Sequence, residues 1–182
     1  WTRLTRQGAV ATRAIWQVPQ DFDFSAYGKP NPRTSAPTEA ELSCMVWQCI
    51  AEGSNGLLWY SYKSYHRFCQ TQAEKEKWWL DVSTVASEVR RFADMMLSAE
   101  PAPAARSDNP KVLTRVWRHA GAVWLLACNA ERTEQRAKVS FRGATFAKGV
   151  PALGTSPVAV RGSDVALDLG PIAVSIVRLS EP

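Results

Sequence analysis

Two short stretches of this sequence concentrate side chains that could perform chemistry. The first holds Gln20, Asp21 and Asp23, directly after an apolar segment, and the second runs from Trp59 to His66. A carboxylate can act as a nucleophile or transfer a proton, and an aromatic ring offers a flat apolar face to a ligand. For Asp21 two interpretations stay open: a catalytic carboxyl, or a cap that holds a turn of the loop.

The sequence argues against several other kinds of site. It contains no Ser/His/Asp triad, no phosphate-binding loop and no dinucleotide-binding fingerprint, so we expect no cofactor. No Cys-x-x-Cys pair and no Cys/His cluster is present, which argues against a metal such as zinc. Cys44 and Cys49 lie five apart on one predicted helix, where two side chains do not meet in disulfide geometry. We therefore expect buried or half-buried thiols.

The composition is that of an ordinary globular protein. The 182 residues are 46% hydrophobic and 21% charged, which argues against disorder. The net charge of +5 is spread along the chain instead of forming a dense Lys/Arg block, so nucleic acid is not an expected partner. No apolar stretch approaches the roughly 20 residues that span a bilayer, so we expect no membrane either. Because the sequence starts at Trp1 without Met or a signal peptide, we expect a processed or truncated piece.

The first half alternates between strand and helix patterns. We predict the end of a helix in residues 2–13 and a strand in RAIWQVPQDF, residues 13–22. A loop rich in Pro and Gly, residues 25–37, leads to a capping box in which Thr38 and Glu41 close the first turn of a helix. The apolar stripe of that helix consists of Leu42, Met45, Val46, Cys49 and Ile50.

The segment after this helix is a continuous apolar run, GLLWY, residues 56–60. It is too short for a helix and too continuous for a half-exposed strand. A strand covered on both faces, as in a parallel sheet under helices, accounts for it. A second capping box, Thr71 with Glu74, then starts a helix that we expect to continue to about Leu97. Its apolar stripe consists of Trp78, Val82, Val85, Val89, Phe92 and Met96.

The pattern changes after residue 97. Residues 98–110, SAEPAPAARSDNP, are rich in Pro and Ala and predict a linker or a long loop. After residue 110, hydrophobic and polar residues alternate in six short segments that are separated by turn residues. The segment TFAKGV is a candidate seventh. This pattern predicts a small antiparallel β-sandwich. We therefore divide the chain into residues 1–104 and residues 105–182.

Residues 1–104 cannot complete a sheet by themselves. Two parallel strands and two helices would leave large apolar surfaces bare, and each exposed Trp, Leu or Ile forfeits roughly 1.5–3 kcal/mol. We therefore expect the strands to belong to a larger sheet. The remainder of that sheet would come from a missing N-terminal part of the polypeptide or from another chain.

The same segments resemble the glycoside-hydrolase type of (β/α)8 barrel. IWQVPQDF is similar to the seventh strand, PTEAEL to the start of the next helix, and GSNGLLWYSY to the last strand. AVWLLACNAERTEQRAKVSF and LDLGPIAVSIVRL are similar to the β-sandwich that often follows such barrels. The resemblance implies an α/β plus all-β fold class: the last strands and helices of a TIM-type barrel followed by a small antiparallel β-sandwich. It covers nearly all of this chain and only the final portion of the family's length.

The resemblance also implies where a site lies. Active sites of such barrels sit at the carboxyl ends of the strands, and two carboxyls flank the bond that is cleaved. In many related barrels the nucleophile is a Glu at the end of strand seven, where this chain has Gln20, and the partner acid comes from strand four, which this chain lacks. Asp21 is the candidate catalytic residue. The candidate substrate-binding residues are Gln20, Asp23, Trp59, Tyr62, Tyr65 and His66.

Three functional hypotheses follow. The leading one is the C-terminal portion of a glycoside hydrolase that acts on a carbohydrate, secreted or periplasmic if that function holds. The alternative is a non-catalytic carbohydrate-binding or assembly module, in which the barrel segment only packs against a partner. For Trp59, Tyr62 and Tyr65, ordinary barrel packing stays open as the alternative to sugar binding. The third is a naturally truncated gene product that folds by oligomerising.

Overall fold

The computed structural model describes residues 2–9, 14–23, 36–60, 67 and 69–182. The chain divides into two compact units, Trp1–Arg90 and Arg91–Pro182. This division lies before the predicted boundary at residue 104, near the end of a long helix.

The first unit alternates between helices and short strands. β1 and β2 pair in parallel, with Trp16 opposite Gly56 and Gln17 opposite Leu57. Within the described residues, the predicted order of strand, helix, strand and helix is therefore confirmed, as is the parallel pairing, but both strands are shorter than predicted. The elements are α1 (Thr2–Gly8), β1 (Trp16–Gln17), α2 (Glu39–Ala51), β2 (Gly56–Leu57) and α3 (Gln72–Arg91).

Helix α2 begins as its sequence predicts. The Thr38 hydroxyl accepts a hydrogen bond of 3.3 Å from the backbone N–H of Glu41. The Glu41 carboxylate in turn accepts one of 3.0 Å from the backbone N–H of Thr38. This capping box satisfies two of the backbone donors that the first turn of a helix leaves free.

The buried face of α2 differs from the predicted stripe. Met45 and Cys49 are only half-buried, whereas Cys44 and Trp47 are buried. The indole N–H of Trp47 donates to the carboxylate of Glu88 on α3. A hydrogen bond to another helix cannot be read from helical spacing, which explains why the stripe missed Trp47.

Helix α3 starts with the second predicted capping box. The Thr71 hydroxyl accepts a hydrogen bond of 3.2 Å from the Glu74 N–H, and the Glu74 carboxylate accepts one of 2.9 Å from the Thr71 N–H. The buried side of the helix includes the first three positions of the predicted stripe, Trp78, Val82 and Val85.

The prediction of one continuous helix to Leu97 is wrong at Phe92. There the helix is interrupted, and a short helix, α4 (Ala93–Met96), follows. In this short helix Met95 is buried, at 3% exposed, and Met96, the predicted stripe residue, is only half-buried.

Residues 91–182 are described throughout, and eight strands follow α4. They form two antiparallel sheets of four strands, in the orders β4–β5–β10–β7 and β3–β6–β9–β8. Each of the six predicted segments contains a strand, and the candidate seventh overlaps β7. The strands are β3 (Ala104–Ser107), β4 (Val112–His119), β5 (Ala122–Asn129), β6 (Gln135–Arg142), β7 (Lys148–Leu153), β8 (Val158–Arg161), β9 (Asp164–Leu169) and β10 (Ala173–Ser180).

One apolar core joins the two sheets. It combines side chains of β4, β5 and β10 from one sheet with side chains of β6 and β9 from the other. Val123, Leu125, Val139 and Val165 are fully buried in it. Along β6 buried and exposed positions alternate, so one face of that sheet packs on the core and the other is exposed.

The predicted linker at residues 98–110 contains strand β3, so this prediction is wrong in part. β3 pairs with β6, with Ala105 opposite Phe141. It was missed because it is a four-residue edge strand of sequence Ala-Ala-Arg-Ser, which lacks the apolar alternation of the other segments. The predicted domain boundary after residue 104 falls at its first residue and stays a prediction.

Candidate functional site

The carboxyl-terminal ends of β1 and β2 lie side by side. A parallel bridge joins Gln20 to Tyr60, beyond the last paired residues of the two strands. The amino-terminal end is held by the turn after α2, where the Asn55 side chain accepts a hydrogen bond of 3.0 Å from the Ile15 N–H. The hydroxyl of Ser54 donates to the Ile15 carbonyl at 3.2 Å. The candidate residues near positions 20 and 60 are therefore neighbours in space.

The β1–β2 pair has one covered face and one open face. On the open face, Trp16 and Val18 are 64% and 53% exposed, and Leu58 and Tyr60 are 56% and 50% exposed. These positions alternate along each segment, as expected where successive side chains point to opposite sides of a strand. The described residues thus cover residues 56–60 on one face only, whereas the sequence predicts cover on both.

Gly56 is needed for the position of the Trp16 ring. A Cβ at residue 56 would lie 2.6 Å from Cδ2 and 2.7 Å from Cε2 of Trp16. The indole therefore lies directly against the backbone of β2, and the missing side chain makes room for it. This contact makes the amino-terminal half of the open face an apolar surface.

Asp21 lies on the covered side of β1 and is 1% exposed. The Trp78 Nε1–H donates a hydrogen bond of 2.7 Å to the backbone carbonyl of Asp21. No other residue in the described part of the chain hydrogen-bonds to either oxygen of the Asp21 carboxylate. Burial raises the pKa of Asp21 from 3.8 to about 6, because the charged form loses its hydration, while its own backbone N–H acts in the opposite direction.

The environment of Asp21 provides the raised pKa that a general acid needs, but it does not place the carboxyl on the open face. A carboxyl with a pKa near 6 still carries a proton at mildly acidic pH, as an acid catalyst must. A ligand on the open face, however, would lie on the other side of the strand from this carboxyl. The catalytic role of Asp21 therefore stays a prediction.

Gln20 and Tyr60 form the carboxyl-terminal end of the open face. The Gln20 amide nitrogen donates a hydrogen bond of 2.7 Å to the Phe22 carbonyl, which holds the side chain in place. The Tyr60 ring packs edge to face against Phe22, with 6.0 Å between the centroids and 77° between the planes. A half-exposed ring beside a fixed amide can bind a ligand that has an apolar face and a polar rim.

The other predicted site residues divide into two groups. Asp23 and Trp59 are half-buried, and Trp59 points to the side opposite Tyr60. Tyr60 belongs to the predicted aromatic stretch, residues 59–66, but is not one of the candidate substrate-binding residues, and Phe22 is not predicted as a site residue. The remaining candidates, Tyr62, Tyr65 and His66, lie outside the described residues.

Other kinds of site are not found in the described residues. They contain no group of three or more His, Cys, Asp or Glu side chains placed to hold a metal ion. None of their helices is both long enough and apolar enough to cross a bilayer. Within the described residues no cysteine forms a disulfide, and burial raises the pKa of Cys44, Cys49 and Cys69, which favours the unreactive thiol.

Comparison with protein families and with curated sequences gives no match. Solved structures do match. A maltogenic alpha-amylase from Thermotoga neapolitana aligns with a TM-score of 0.60 and 12% identity, over 99% of this chain and 44% of its own. An alpha-amylase from Anoxybacillus gives a TM-score of 0.60 and 11% identity, over 98% of this chain and 41% of its own.

A third similar structure is the glycoside hydrolase family 30 xylanase from Clostridium acetobutylicum, with a TM-score of 0.53 and 8% identity, over 92% of this chain and 43% of its own. The chain has a glycoside-hydrolase-like fold. At such low identities the glycoside-hydrolase-like fold does not by itself establish an activity. The chain spans less than half the length of each of these three proteins.

Proposed function

We propose that this chain is the C-terminal portion of a glycoside hydrolase. β1 and β2 are the last two strands of a (β/α)8 barrel, with α2 between them and α3 closing the ring of helices. Residues 105–182 are the appended β-sandwich. The rest of the barrel comes from an N-terminal part of the polypeptide or from another chain. The substrate is a carbohydrate, no cofactor is needed, and the protein is secreted or periplasmic.

The open face of the β1–β2 pair is the observation that carries this proposal. Trp16, Val18 and Leu58 are each more than half exposed there, although the other face is covered. Leaving a large apolar side chain in water forfeits roughly 1.5–3 kcal/mol, so three neighbouring ones favour a covering layer. The packed interior of a barrel supplies such a layer, because its strands are covered on both sides.

The similar structures support the same division of the protein. Each match spans more than nine-tenths of this chain and less than half of the other protein. The unmatched part of each is thus longer than this chain. That length is sufficient for the six strand–helix units that the barrel proposal requires.

The carboxyl-terminal end of the open face is the proposed sugar site. Tyr60 would stack on the apolar face of a sugar ring, and the held amide of Gln20 would hydrogen-bond a hydroxyl. This arrangement suits a sugar, which combines an apolar ring face with polar groups around its edge. Asp23 is the other described residue that we propose for this rim, whereas Trp59 points away from the open face. The predicted roles of Tyr62, Tyr65 and His66 in sugar binding remain part of the proposal.

Hydrolysis requires two carboxyls, and in this proposal the described part of the chain offers Asp21 as one candidate. The raised pKa of Asp21, about 6, suits the acid of such a pair. Because Asp21 lies on the covered side, a substrate would have to reach it from the carboxyl-terminal rim. The second carboxyl comes from strands outside this chain.

The presence of a glutamine at position 20 favours a second candidate function. It lies at the carboxyl-terminal end of β1, where related barrels carry a nucleophilic Glu. An amide can hold a sugar hydroxyl but cannot act as a nucleophile or as a base. A non-catalytic carbohydrate-binding or assembly module would keep the same sugar contacts without turnover.

Assays of the complete protein distinguish the two functions. The protein is incubated with a panel of oligosaccharides and aryl glycosides, and product release is measured beside calorimetric titration with the same sugars. Hydrolysis supports the first function, and binding without product release supports the second. Absence of both would contradict both.

Matched variants test the site. Tyr60→Ala removes the stacking ring, and Trp79→Ala removes a similarly exposed ring on α3, at 54% against 50%. We expect Tyr60→Ala to weaken sugar binding about 2- to 10-fold, and Trp79→Ala to leave it unchanged. Asp21→Ala is expected to abolish turnover if Asp21 is the acid. Unchanged turnover removes it from the site.

A further inference from the structure

The outer face of the sheet β3–β6–β9–β8 carries an excess of cations. Along β6 the outward positions alternate with buried core positions and are exposed. Four of the five basic side chains on this face lie on the strand pair β3–β6, and the fifth lies on the opposite edge strand β8. The outward basic residues are Arg106, Arg136, Lys138, Arg142 and Arg161.

Strand register gathers three of these cations around one hydroxyl. Arg106 on β3 is directly opposite Ser140 on β6. Lys138 and Arg142 lie two positions before and after Ser140 on the same strand. Paired strands are about 4.8 Å apart and alternate residues about 6.8 Å apart, so all three cations flank the serine. We refer to Arg106, Lys138, Ser140 and Arg142 as the cation cluster.

The carboxylates of this face leave the cation cluster without ion pairs. Arg136 binds Asp168 at 3.1 Å, outside the cluster. Asp108 uses its Oδ1 to accept a hydrogen bond of 2.8 Å from the backbone N–H of Lys138. Asp164 on β9 is opposite both Ser140 and Arg161. Among the described residues, the side chains of Arg106, Lys138 and Arg142 make no ion pair.

An anionic partner would relieve the repulsion within the cluster. Like charges on neighbouring positions of a sheet destabilise it, so three unpaired cations on adjacent strands are unfavourable until a counter-charge binds. The positions around them are small: Ala104, Ala159 and Ala166 are outward and exposed. A chain-like ligand could lie across such a flat surface without meeting large side chains.

We propose that the cation cluster binds an acidic polysaccharide, a glycan whose sugar rings carry carboxylate or sulfate groups. Guanidinium groups pair with such anions in bidentate geometry, and the Ser140 hydroxyl adds a hydrogen bond. The outward positions of these four strands include no aromatic residue for base stacking and no large apolar residue for insertion into a bilayer. The preference for a glycan over other polyanions rests on the proposed function.

The test compares two triple variants of the complete protein with equal loss of charge. The cluster variant is Arg106→Ser with Lys138→Ser and Arg142→Ser. The control is Arg90→Ser with Lys111→Ser and Lys148→Ser, three exposed cations that lie on none of these four strands. Binding to polygalacturonate, dextran sulfate and neutral amylose is measured by calorimetry at low and high salt, and circular dichroism verifies the fold of each variant.

We expect binding to at least one of the two acidic polysaccharides, weakened by salt as electrostatic binding is. The cluster variant should bind about 10-fold more weakly or worse, and the control within about 2-fold of the parent. Equal loss in both variants, equal binding of amylose, or no binding to either acidic polysaccharide overturns the proposal. Preference for duplex DNA or for anionic phospholipid vesicles, titrated in parallel, overturns it as well.

The same variants separate this proposal from the proposed function. The cation cluster lies on the unit Arg91–Pro182, which we call the two-sheet unit, and the proposed sugar site lies at the ends of β1 and β2. Hydrolysis or binding of the small neutral sugars should therefore be unchanged in the cluster variant. Loss of polysaccharide binding with intact sugar chemistry supports the cluster. If the proposed sugar site neither binds nor hydrolyses sugars, the two triple variants should still differ in their binding to acidic polysaccharides.

Discussion

The indole Nε1 of Trp78 donates a hydrogen bond of 2.7 Å to the backbone carbonyl of Asp21, across 57 positions of sequence. Both residues are buried, at 7% and 1% exposed. The bond therefore fixes the carboxyl-terminal end of β1 to helix α3 in a place where water does not compete. The candidate site depends on this link, because Gln20 directly precedes Asp21.

Replacing Trp78 with Phe should destabilise the protein. The change removes the donor, keeps an aromatic ring, and leaves a buried carbonyl unsatisfied, which costs about 1–3 kcal/mol. The free energy of unfolding in urea measures the effect. Trp79→Phe is the matched control, since that neighbouring indole is 54% exposed and its loss should change stability by less than about 0.5 kcal/mol. Equal stability of Trp78→Phe and the parent would show that the bond contributes nothing.

Asp21→Asn should make stability less dependent on pH. Between about pH 4 and pH 6 the folded state holds a proton on Asp21 that the unfolded state has already released, because folding raises the pKa of this carboxyl to about 6. Stability conferred by the protonated carboxyl is therefore full below about pH 4 and is lost as pH rises through 6.

Above pH 6 the neutral amide avoids a buried charge. We expect Asp21→Asn to raise the free energy of unfolding by about 1–2 kcal/mol at pH 7.5 and to change it little at pH 3.5. Urea titrations at several pH values measure this difference. Asp94→Asn, at an exposed position on α4, is the control and should change the free energy of unfolding by less than about 0.5 kcal/mol. A destabilised Asp21→Asn at pH 7.5 would mean that the carboxylate has a partner that stabilises its charge.

Glu88 is expected to hold α2 and α3 together through one oxygen. Its Oε1 accepts hydrogen bonds from the Trp47 indole N–H and, at 2.8 Å, from the Ser43 hydroxyl. Glu88→Ala removes both acceptor contacts and should lower the free energy of unfolding by about 1.5–3 kcal/mol. Glu88→Gln keeps an acceptor oxygen and should lose less than half of that. If the two variants are equally unstable in urea, the charge and not the oxygen is what matters.

We expect the stability of the two-sheet unit to depend on Asn129. Its side chain is fully buried, and its Nδ2 donates to the carbonyls of Gly170 at 2.6 Å and Thr133 at 2.9 Å. Its Oδ1 accepts a hydrogen bond of 2.9 Å from the Glu131 N–H. Asn129→Ala leaves these partly buried backbone groups without their partner, and we expect a loss of about 1–3 kcal/mol, measured by thermal or urea unfolding.

Ser140→Ala is the comparison for Asn129→Ala, because Ser140 is exposed in the same unit and its change should cost less than about 0.5 kcal/mol. A loss at Asn129 no larger than at Ser140 would mean that water replaces the missing hydrogen bonds. In that case the turns at the ends of β5 and β9 do not rely on this amide.

Sequence patterns that act within a single helix or strand predicted the local structure correctly. Both capping boxes form, because Thr38 with Glu41 and Thr71 with Glu74 need only the geometry of one helical turn. The alternation of hydrophobic and polar residues predicted most strands of the second unit for the same reason. The strand β3 was missed because an edge strand with one neighbour needs little apolar alternation.

The candidate site was only partly predictable. The resemblance directed attention to the ends of two parallel strands, and the bridge between Gln20 and Tyr60 brings those ends together. The sequence could not say that Asp21 lies on the covered side, nor that Tyr60 and not Trp59 belongs to the open face. Those assignments depend on the phase of each strand, and a shift of one residue reverses every side chain.

The sequence by itself determined most of the helices and strands, because capping and periodicity act over a few residues of one chain. Only the tertiary structure decided which face of the β1–β2 pair remains open and how cations from β3 and β6 meet around Ser140. It also decided that a buried carboxyl at position 21 carries a pKa near 6. These properties arise from neighbours distant in sequence, whose distances and burial are set by folding and by no local pattern.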